Sequence, residues 1–218
     1  IQYFDQHFTE LYSVESISRL RDIAFVPVTQ PPLSRQNRSR NIKNESRKSS
    51  NNSSISTQGK TMVKFSACLL HVDRHLGWTQ MPILPEQFQI QHLVLKKVGV
   101  QSPPPYPIVI SHIQDICSEL DNGSLIMSYI DSPPEVFHTI LRYFEKRWNN
   151  NANGVEKNRE LAQLRLIFRL PVGSLLIRPT RLYFRMTTNL APFMFEVPRA
   201  FGAFEKLLTD LGAMEKPL

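Results

Sequence analysis

The sequence predicts an α+β fold built from two diverged copies of a small helix–strand–strand–helix unit that are joined by helices. Three observations lead to this prediction. Four blocks recur along the chain in the same order, each copy has an apolar stretch closing at Pro-Val, and each copy has an apolar helix followed by glycine. Because similarity in a fixed order indicates a repeated structural unit, we expect both copies to share one topology.

The recurring blocks are separated by offsets of 140, 144, 114 and 113 residues. They pair 3–8 with 143–148, 20–28 with 164–172, 63–76 with 177–190, and 81–104 with 194–217. The offset falls where a basic, polar insertion at 30–62 ends, so one excess loop accounts for the change. The predicted organisation is a first unit at 1–104 that contains the insertion, connecting helices at 105–139, and a second unit at 140–218.

Each unit is predicted to begin with a short helix that leads into an apolar strand. The predicted helices are 15–23 and 157–164, the strands that follow are 24–28 and 166–172, and the second strands are 62–70 and 175–185. A last helix is predicted at 86–98 and at 199–211, where apolar residues recur at helical spacing. Gly99 and Gly212 follow these helices, at the place where glycine commonly forms the C-cap.

Two further helices are predicted between the units, at 110–120 and 134–148. Ser132 followed by two prolines and Glu135 is typical of a helix start. The predicted buried face of the second helix consists of Val136, Phe137, Ile140, Leu141 and Phe144. An Asn-rich tract at 149–154 is expected to end this helix, because Asn and Gly favour turns.

The positive charge is concentrated in the insertion. The net charge is +7, and the stretch 30–64 alone holds eight basic residues and one acidic residue. Large apolar and aromatic residues are nearly absent from it, so it is predicted to be disordered and to lack a platform for base stacking. It is either a solvated surface insertion or a regulatory, polyanion-binding module acting through 34–60, where phosphorylation would cancel charge. The candidate residues of this loop are Arg35, Arg38, Arg40, Lys43, Arg47, Lys48, Ser49 and Ser50.

The sequence contains no recognisable catalytic or cofactor motif. None of the eight glycines lies within four residues of another, which excludes a phosphate-binding or dinucleotide-binding glycine loop. His71 and His75 flank Asp73 and could be imagined as metal ligands or as the acid–base groups of a hydrolase. The second copy lacks matching side chains and no third ligand is apparent, so we predict no metal, no cofactor and no catalytic residue.

The two cysteines and the absence of targeting segments bear on the compartment. Cys68 and Cys117 lie in apolar settings, where buried free thiols are commoner than a disulfide. No apolar run is long enough to span a bilayer, and none at the start of the chain is typical of a signal peptide. The chain begins at Ile1, so we expect a piece of a longer intracellular protein, in the cytoplasm or with the nucleus left open.

Three aromatic residues are candidates for contact with another protein: Trp78, Trp148 and Phe193. Each tryptophan closes an apolar pattern, which favours a role in the core or at an interface between units. The alternative is an exposed patch, because a repeat unit displays the surface on which a neighbouring unit would stack.

Two segments carry a resemblance to a known family. They are RLRDIAFVPV with KFSACLLHVDRHLGWTQMPILP, and LIFRLPV with LIRPTRLYFRMTTNLAPFMFEVPRAFGAFEKLLTDLGAMEKP. Both resemble the repeating segments of the sacsin family, very large chaperone-related proteins, and the second is most similar to a plant-type member. The resemblance implies ATPase-like modules elsewhere in the parent protein, whose nucleotide-site signature is absent here.

The implied role of this segment is a non-catalytic scaffold or protein-binding segment that links those modules. Its implied partners are other domains of the same protein and client or co-chaperone proteins. We expect neither nucleic acid nor a membrane to be a partner.

Overall fold

The structure is a computed structural model that describes part of the 218-residue chain. The described residues are 14–24, 26–28, 61–85, 92–121, 132–150 and 154–217. They form helices and small sheets, so the α+β class is confirmed. The chain divides into two compact units, 1–112 and 113–218, so the predicted connecting stretch 105–139 is shared between them. In the described part of the chain, no helix has both the length and the apolar character needed to cross a bilayer.

The first unit is organised around one antiparallel strand pair. Its described elements are α1 (Val14–Asp22), β1 (Val26–Val28), β2 (Thr61–Val63), two 3-10 helices (Phe65–Ala67 and His71–Leu76), α2 (His92–Lys97) and the first part of α3 (Tyr106–Asp121). Strands β1 and β2 pair with Val26 opposite Val63. Leu69 forms parallel bridges to both Ile83 and Gln101, which places three further segments side by side.

The basic insertion predicted at 30–62 lies outside the described residues as far as residue 60. Its last two residues, Thr61 and Met62, belong instead to β2. They lie there because they pair with Val28 and Pro27 of β1, so the insertion ends two residues earlier than the sequence indicated.

The core of the first unit is apolar and includes both strands. Its buried members are Val26, Val28, Phe65, Cys68, Leu70, Leu84, Leu95, Val98 and Val100. Gly99 follows α2 with a φ of +97°. The amide of Val100 then donates to the carbonyl of Leu95 at 3.0 Å, which closes the end of the helix.

The second unit contains two strand pairs. Besides the end of α3, its described elements are α4 (Pro133–Asn150), α5 (Gly154–Ile167), β3 (Leu170–Val172), β4 (Leu175–Ile177), a 3-10 helix (Pro179–Arg181), β5 (Leu182–Tyr183), β6 (Phe195–Glu196), another 3-10 helix (Arg199–Phe204) and α6 (Glu205–Leu211). β3 and β4 form an antiparallel hairpin, whereas β5 and β6 are parallel. Gly173 lies in the hairpin turn at a φ of +59°. Tyr183 also bridges Met214 in parallel.

The buried faces predicted for two segments of the second unit are confirmed. In α4 the buried residues are Val136, Phe137, Ile140, Leu141 and Phe144, and Trp148 extends the same face. In the C-terminal segment they are Phe201, Phe204, Leu207, Leu208 and Leu211. Gly212 follows at a φ of +114°, which confirms the predicted glycine C-cap.

The second strands predicted at 62–70 and 175–185 are wrong in length. In the first unit the strand stops at Val63, and a 3-10 helix begins at Phe65. Phe65 and Cys68 are both buried, and their three-residue spacing fits a 3-10 turn and not the two-residue period of a strand. In the second unit Pro179 has no N–H to donate to a strand ladder, and it starts a 3-10 helix instead.

The strand predicted at 166–172 is also too long, because α5 continues to Ile167. Leu164 and Phe168 are both fully buried and four residues apart, as on one face of a helix. The amide of Phe168 donates to the carbonyl of Leu164 at 2.8 Å, so the strand begins only at Leu170. The helix predicted at 199–211 is divided: its first half is the 3-10 helix Arg199–Phe204, and only Glu205–Leu211 is α-helical.

We predict that Gly212→Ala destabilises the second unit by about 1–2 kcal/mol. Its φ of +114° is unfavourable for alanine, and an added Cβ would lie 3.1 Å from Cγ2 of Thr180. Urea unfolding followed by circular dichroism measures the change. Gly202→Ala is the matched control, because a Cβ there meets no atom within 4 Å. Equal stabilities of the two variants would contradict the prediction.

Candidate functional site

An open groove on the second unit is one site at which the described side chains leave room for a ligand. Its volume is about 480 Å³, which lies within the range of ligand pockets. The residues that line it are Ser174, Leu175, Leu176, Ile177, Arg181, Pro192, Phe193 and Phe195. β4 therefore forms one wall, and the segment 192–195 forms the other.

The wall formed by β4 presents backbone groups as well as side chains. Pro171 of β3 lies opposite Leu176 of β4, and Pro171 has no N–H to exchange with it. This pair is therefore of the non-hydrogen-bonded kind, and the bonded pairs are its neighbours on either side. The N–H and C=O of Leu176 accordingly point away from β3, along the edge of the hairpin that borders the groove.

Arg181 holds the opposite wall in place. Its Nε donates to the carbonyl of Phe193 at 2.9 Å, and its Nη2 donates to the carbonyl of Pro192. Its guanidinium also lies 5.5 Å from the ring centre of Phe195. These contacts fix the turn that carries Phe193, whose side chain is 76% exposed. The sequence predicted Phe193 as a contact residue but gave no sign of the role of Arg181.

The other two predicted contact residues lie inside their units. Trp78 is 9% exposed and Trp148 is 6% exposed. Trp78 packs edge-on against His112, with ring centres 4.0 Å apart. Both tryptophans therefore occupy core positions, which is the first of the two roles considered for them. Of the three candidates, Phe193 is the one that the structure leaves on the surface.

His112 is a fully buried histidine whose ring nitrogens are both engaged. Nδ1 lies 2.8 Å from Oγ1 of Thr79, and Nε2 lies 3.2 Å from the carbonyl oxygen of His75. Burial lowers the pKa of His112 from 6.5 to about 3, because the charged imidazolium would lose its hydration. The ring is therefore neutral at physiological pH and joins α3 to the segment around Trp78.

Trp148 belongs to a buried polar cluster on α4 and α5. Its Nε1 donates to Oε2 of Glu160 at 2.9 Å. Glu160 is 6% exposed and also accepts from Arg147, at 3.0 Å from Nε and 2.6 Å from Nη2. The hydrogen bonds that Arg147 donates to Glu160 are the main reason that the pKa of Arg147 is raised. This cluster was not predicted from the sequence, although the apolar spacing around Trp148 and the charge 12 residues later are both visible there.

The histidines of the HVDRH segment face a cation. Arg74 donates from Nε to Nε2 of His75 and lies 2.9 Å, through Nη1, from Nε2 of His71. Since a guanidinium can only donate, both Nε2 atoms act as acceptors, and their lone pairs are not directed at a metal. In the described part of the chain, no group of three or more potential metal ligands is gathered in one place.

Two buried polar atoms in the described residues have no hydrogen-bond partner: Oδ2 of Asp73 and Nε1 of Trp78. Cys68 and Cys117 are buried and form no disulfide, as predicted. Burial raises the pKa of Cys68 to about 11, so its thiol is protonated and a poor nucleophile. Cys68 therefore lacks the environment of a reactive thiolate.

The predicted basic loop lies outside the described residues, so the placement of its arginines, lysines and serines stays a prediction.

Comparisons with known proteins found no matching family model, no matching curated protein and no matching solved structure. The resemblance to the sacsin family therefore stays a prediction as well.

We predict that the first unit loses stability as the pH falls below about 6.5. The folded-state pKa of His112 is about 3, below its unfolded value of 6.5, so the unfolded chain binds the proton first. The contribution is complete above pH 6.5 and decreases by about 1 kcal/mol per pH unit as the pH falls towards 3. Urea unfolding between pH 4 and 7 measures this slope.

His112→Gln provides the test, because glutamine retains hydrogen-bonding groups and does not titrate. We expect this variant to have a flatter dependence of unfolding free energy on pH than the parent chain. His138→Gln is the control. His138 is a half-buried residue of the second unit, where it packs on Phe204 of the same unit. Parallel pH profiles for the parent and His112→Gln would show that His112 is not the source.

We predict that Glu160→Ala destabilises the second unit by about 2–3 kcal/mol, because it leaves the charge of Arg147 and the indole N–H of Trp148 without this acceptor. Trp148 fluorescence during urea unfolding measures the loss. Glu156→Ala is the matched control: Glu156 lies 3.5 Å from the same arginine, but its side chain is 52% exposed. Its effect should stay below about 0.5 kcal/mol. Similar losses for both variants would count against a structural role for the cluster.

Proposed function

We propose that this chain is a non-catalytic, protein-binding scaffold segment of a large sacsin-like protein, built from two diverged copies of one unit. The observation that carries the proposal is the agreement in strand pairing between the two units. β1 and β2 pair Val26 with Val63, and β3 and β4 pair Leu170 with Ile177. The paired residues are offset by 144 and 114 positions, the same offsets at which the sequence blocks match.

The segments that follow the hairpins support the same proposal. Leu69 bridges Gln101 in parallel in the first unit, and Tyr183 bridges Met214 in parallel in the second. Leu69 also pairs in parallel with Ile83, and Tyr183 also pairs in parallel with Glu196. The offsets here are 114 and 113, so the hydrogen-bonding pattern repeats together with the sequence.

An arginine closes each unit in the same way. Nε of Arg21 donates to the carbonyl of Lys97 at 2.8 Å, and Nε of Arg165 donates to the carbonyl of Asp210 at 2.8 Å. In each unit the arginine comes from the helix that precedes the hairpin, α1 or α5, and the carbonyl lies two residues before a left-handed glycine. This contact joins that helix to the last residues of α2 or α6.

The two units differ where a binding surface would be expected to diverge. Turn hydrogen bonds from Gln80 to Gly77 and from Phe193 to Leu190 occupy equivalent places. Gln80 is half-buried, whereas Phe193 is exposed beside the groove. Conservation of the backbone pattern with divergence of surface side chains is what a scaffold made of repeats requires.

Several described polar groups that could perform chemistry serve other contacts. His112 bonds within its unit, Glu160 accepts from Arg147 and Trp148, and the HVDRH histidines accept from Arg74. This favours a binding role over a hydrolase that uses His71, Asp73 and His75. The basic segment 34–60 supplies the competing hypothesis of a polyanion-binding module.

Two measurements on the purified chain test the proposal. Hydrolysis of ATP above background that a point substitution in this chain abolishes would overturn the non-catalytic assignment. Salt-titrated binding to heparin, with and without residues 34–60, tests the competing hypothesis. Binding that requires the deleted segment would favour the polyanion-binding module, and equal or absent binding would favour the scaffold.

We predict that Arg21→Met and Arg165→Met each loosen only their own unit. Loss of the bond to a backbone carbonyl removes about 1 kcal/mol of local stability, so nearby amides should exchange about fivefold faster. Hydrogen-exchange mass spectrometry should place the change at 96–101 for the first variant and at 209–214 for the second. Arg159→Met, at an exposed position of α5, is the control and should change neither segment. Faster exchange in both units with either variant would contradict the prediction.

A further inference from the structure

We propose that the groove beside β4 binds an extended peptide of alternating acidic and apolar residues, which adds to the hairpin as a third strand. This inference rests on the proposed protein-binding role and names the chemistry of the partner. It combines three features of the groove, which are a strand edge that pairs with no other described strand, an exposed apolar wall and a surrounding excess of arginine.

The strand edge supplies the backbone contacts. The Pro171–Leu176 pair directs the N–H and C=O of Leu176 away from β3. An extended peptide can bond to a strand edge in this way, and side-chain pockets then provide the selectivity. β4 spans three residues, or about 10 Å of strand, so it would engage a short segment of the partner.

The side chains around this edge accept apolar groups. Leu175 is 51% exposed and Phe193 is 76% exposed, on opposite walls of the groove. Contact with a partner would remove both side chains from water, which is favourable in proportion to the apolar area buried. Arg181 fixes the Phe193 turn, so little ordering is needed when a peptide binds.

The positive charge around the groove favours the acidic residues of the alternating peptide. Between 165 and 199 the chain has six arginines and a single acidic residue, Glu196. Arg178 directly follows β4 and is exposed. Arg185 follows β5 and is also exposed, but it already pairs with Glu215 at 3.4 Å, so Arg178 is the arginine on which the proposal depends. Successive side chains of a strand point to opposite faces, so a peptide can direct apolar side chains into the groove and carboxylates towards the arginines.

The same features disfavour two other occupants. A nucleic acid backbone has no amide groups with which to pair along the strand edge at Leu176, and Arg181, the cationic residue of the groove lining, already bonds to two carbonyls. A second copy of this edge would bring Arg178 and Arg181 close to the same arginines of the other molecule. The repulsion between like charges would oppose that pairing.

The experiment uses the full chain labelled with ¹⁵N and synthetic nine-residue peptides of alternating valine and glutamate. We expect saturable binding with amide shift changes confined to 174–178 and 192–196. A peptide methylated on alternate backbone nitrogens cannot form the strand bonds, and it should bind at least about tenfold more weakly. A peptide with lysine in place of glutamate should also bind at least about tenfold more weakly at low salt.

Variants of the chain test each wall separately. Phe193→Ala should weaken peptide binding about fivefold, and Arg178→Glu should weaken it about tenfold and reduce its salt dependence. Arg142→Glu is the charge-matched control, because Arg142 is exposed on α4 and does not line the groove. This control should bind the peptide as the parent chain does.

Several results would overturn this inference. Tight binding by the methylated peptide would exclude strand addition, and unchanged affinity in both groove variants would exclude the groove as the site. Amide shift changes in the groove caused by oligothymidylate but not by the peptide would indicate a nucleic acid partner. Groove shifts that depend on the concentration of the chain alone would indicate a second copy of the chain. None of them involves ATP hydrolysis. Failure here is therefore distinct from failure of the non-catalytic assignment.

Discussion

Each unit depends on a glycine that lets the chain reverse after the last short helix. Gly99 and Gly212 adopt φ values of +97° and +114°, a region that side chains with a Cβ rarely enter. After the reversal in the first unit, Gln101 pairs with Leu69, which also pairs with Ile83. After the reversal in the second unit, Met214 pairs with Tyr183, which also pairs with Glu196. Without this reversal the end of the unit could not lie beside its middle.

Burial of apolar residues explains how each unit is stable with very short strands. The strands are two or three residues long, too short for ladder hydrogen bonds alone to hold them. What stabilises them is burial: Val26, Leu170 and Leu182 are completely inaccessible to solvent. The arginine bond from α1 to α2 in the first unit, and from α5 to α6 in the second, adds a further link within each unit.

The sequence predicted well those features that depend on local chemistry. The spacing of Phe137, Phe144 and their neighbours is a helix face whatever surrounds it, and Gly212 after an apolar helix is a C-cap for a local reason. It predicted poorly the places where tertiary packing decides between a strand and a turn. Phe65 and Cys68 sit in a stretch of apolar residues that is compatible with a strand, and only their common burial requires a 3-10 turn.

The candidate site was visible only in part for a similar reason. Phe193 stood out as an aromatic residue, but Arg181 had nothing to distinguish it from the other arginines nearby. Its role depends on carbonyls 11 and 12 residues away, which approach it only after the chain has folded. In the same way, Glu160 looks like a surface charge on α5 until Trp148 and Arg147 are brought against it.

The contrast between buried and exposed polar groups limits what this molecule can do. His112 and Glu160 are buried with their hydrogen-bonding atoms engaged, so moving a proton to either one would break contacts that stabilise the fold. The outward N–H and C=O of Leu176 are not used in the β3–β4 pairing, and the exposed side chain of Phe193 projects from a turn that is held through its backbone. The proposed binding at that edge can therefore vary by substitution of surface side chains, while the glycine, the arginine and the strand pairs that maintain each unit stay as they are.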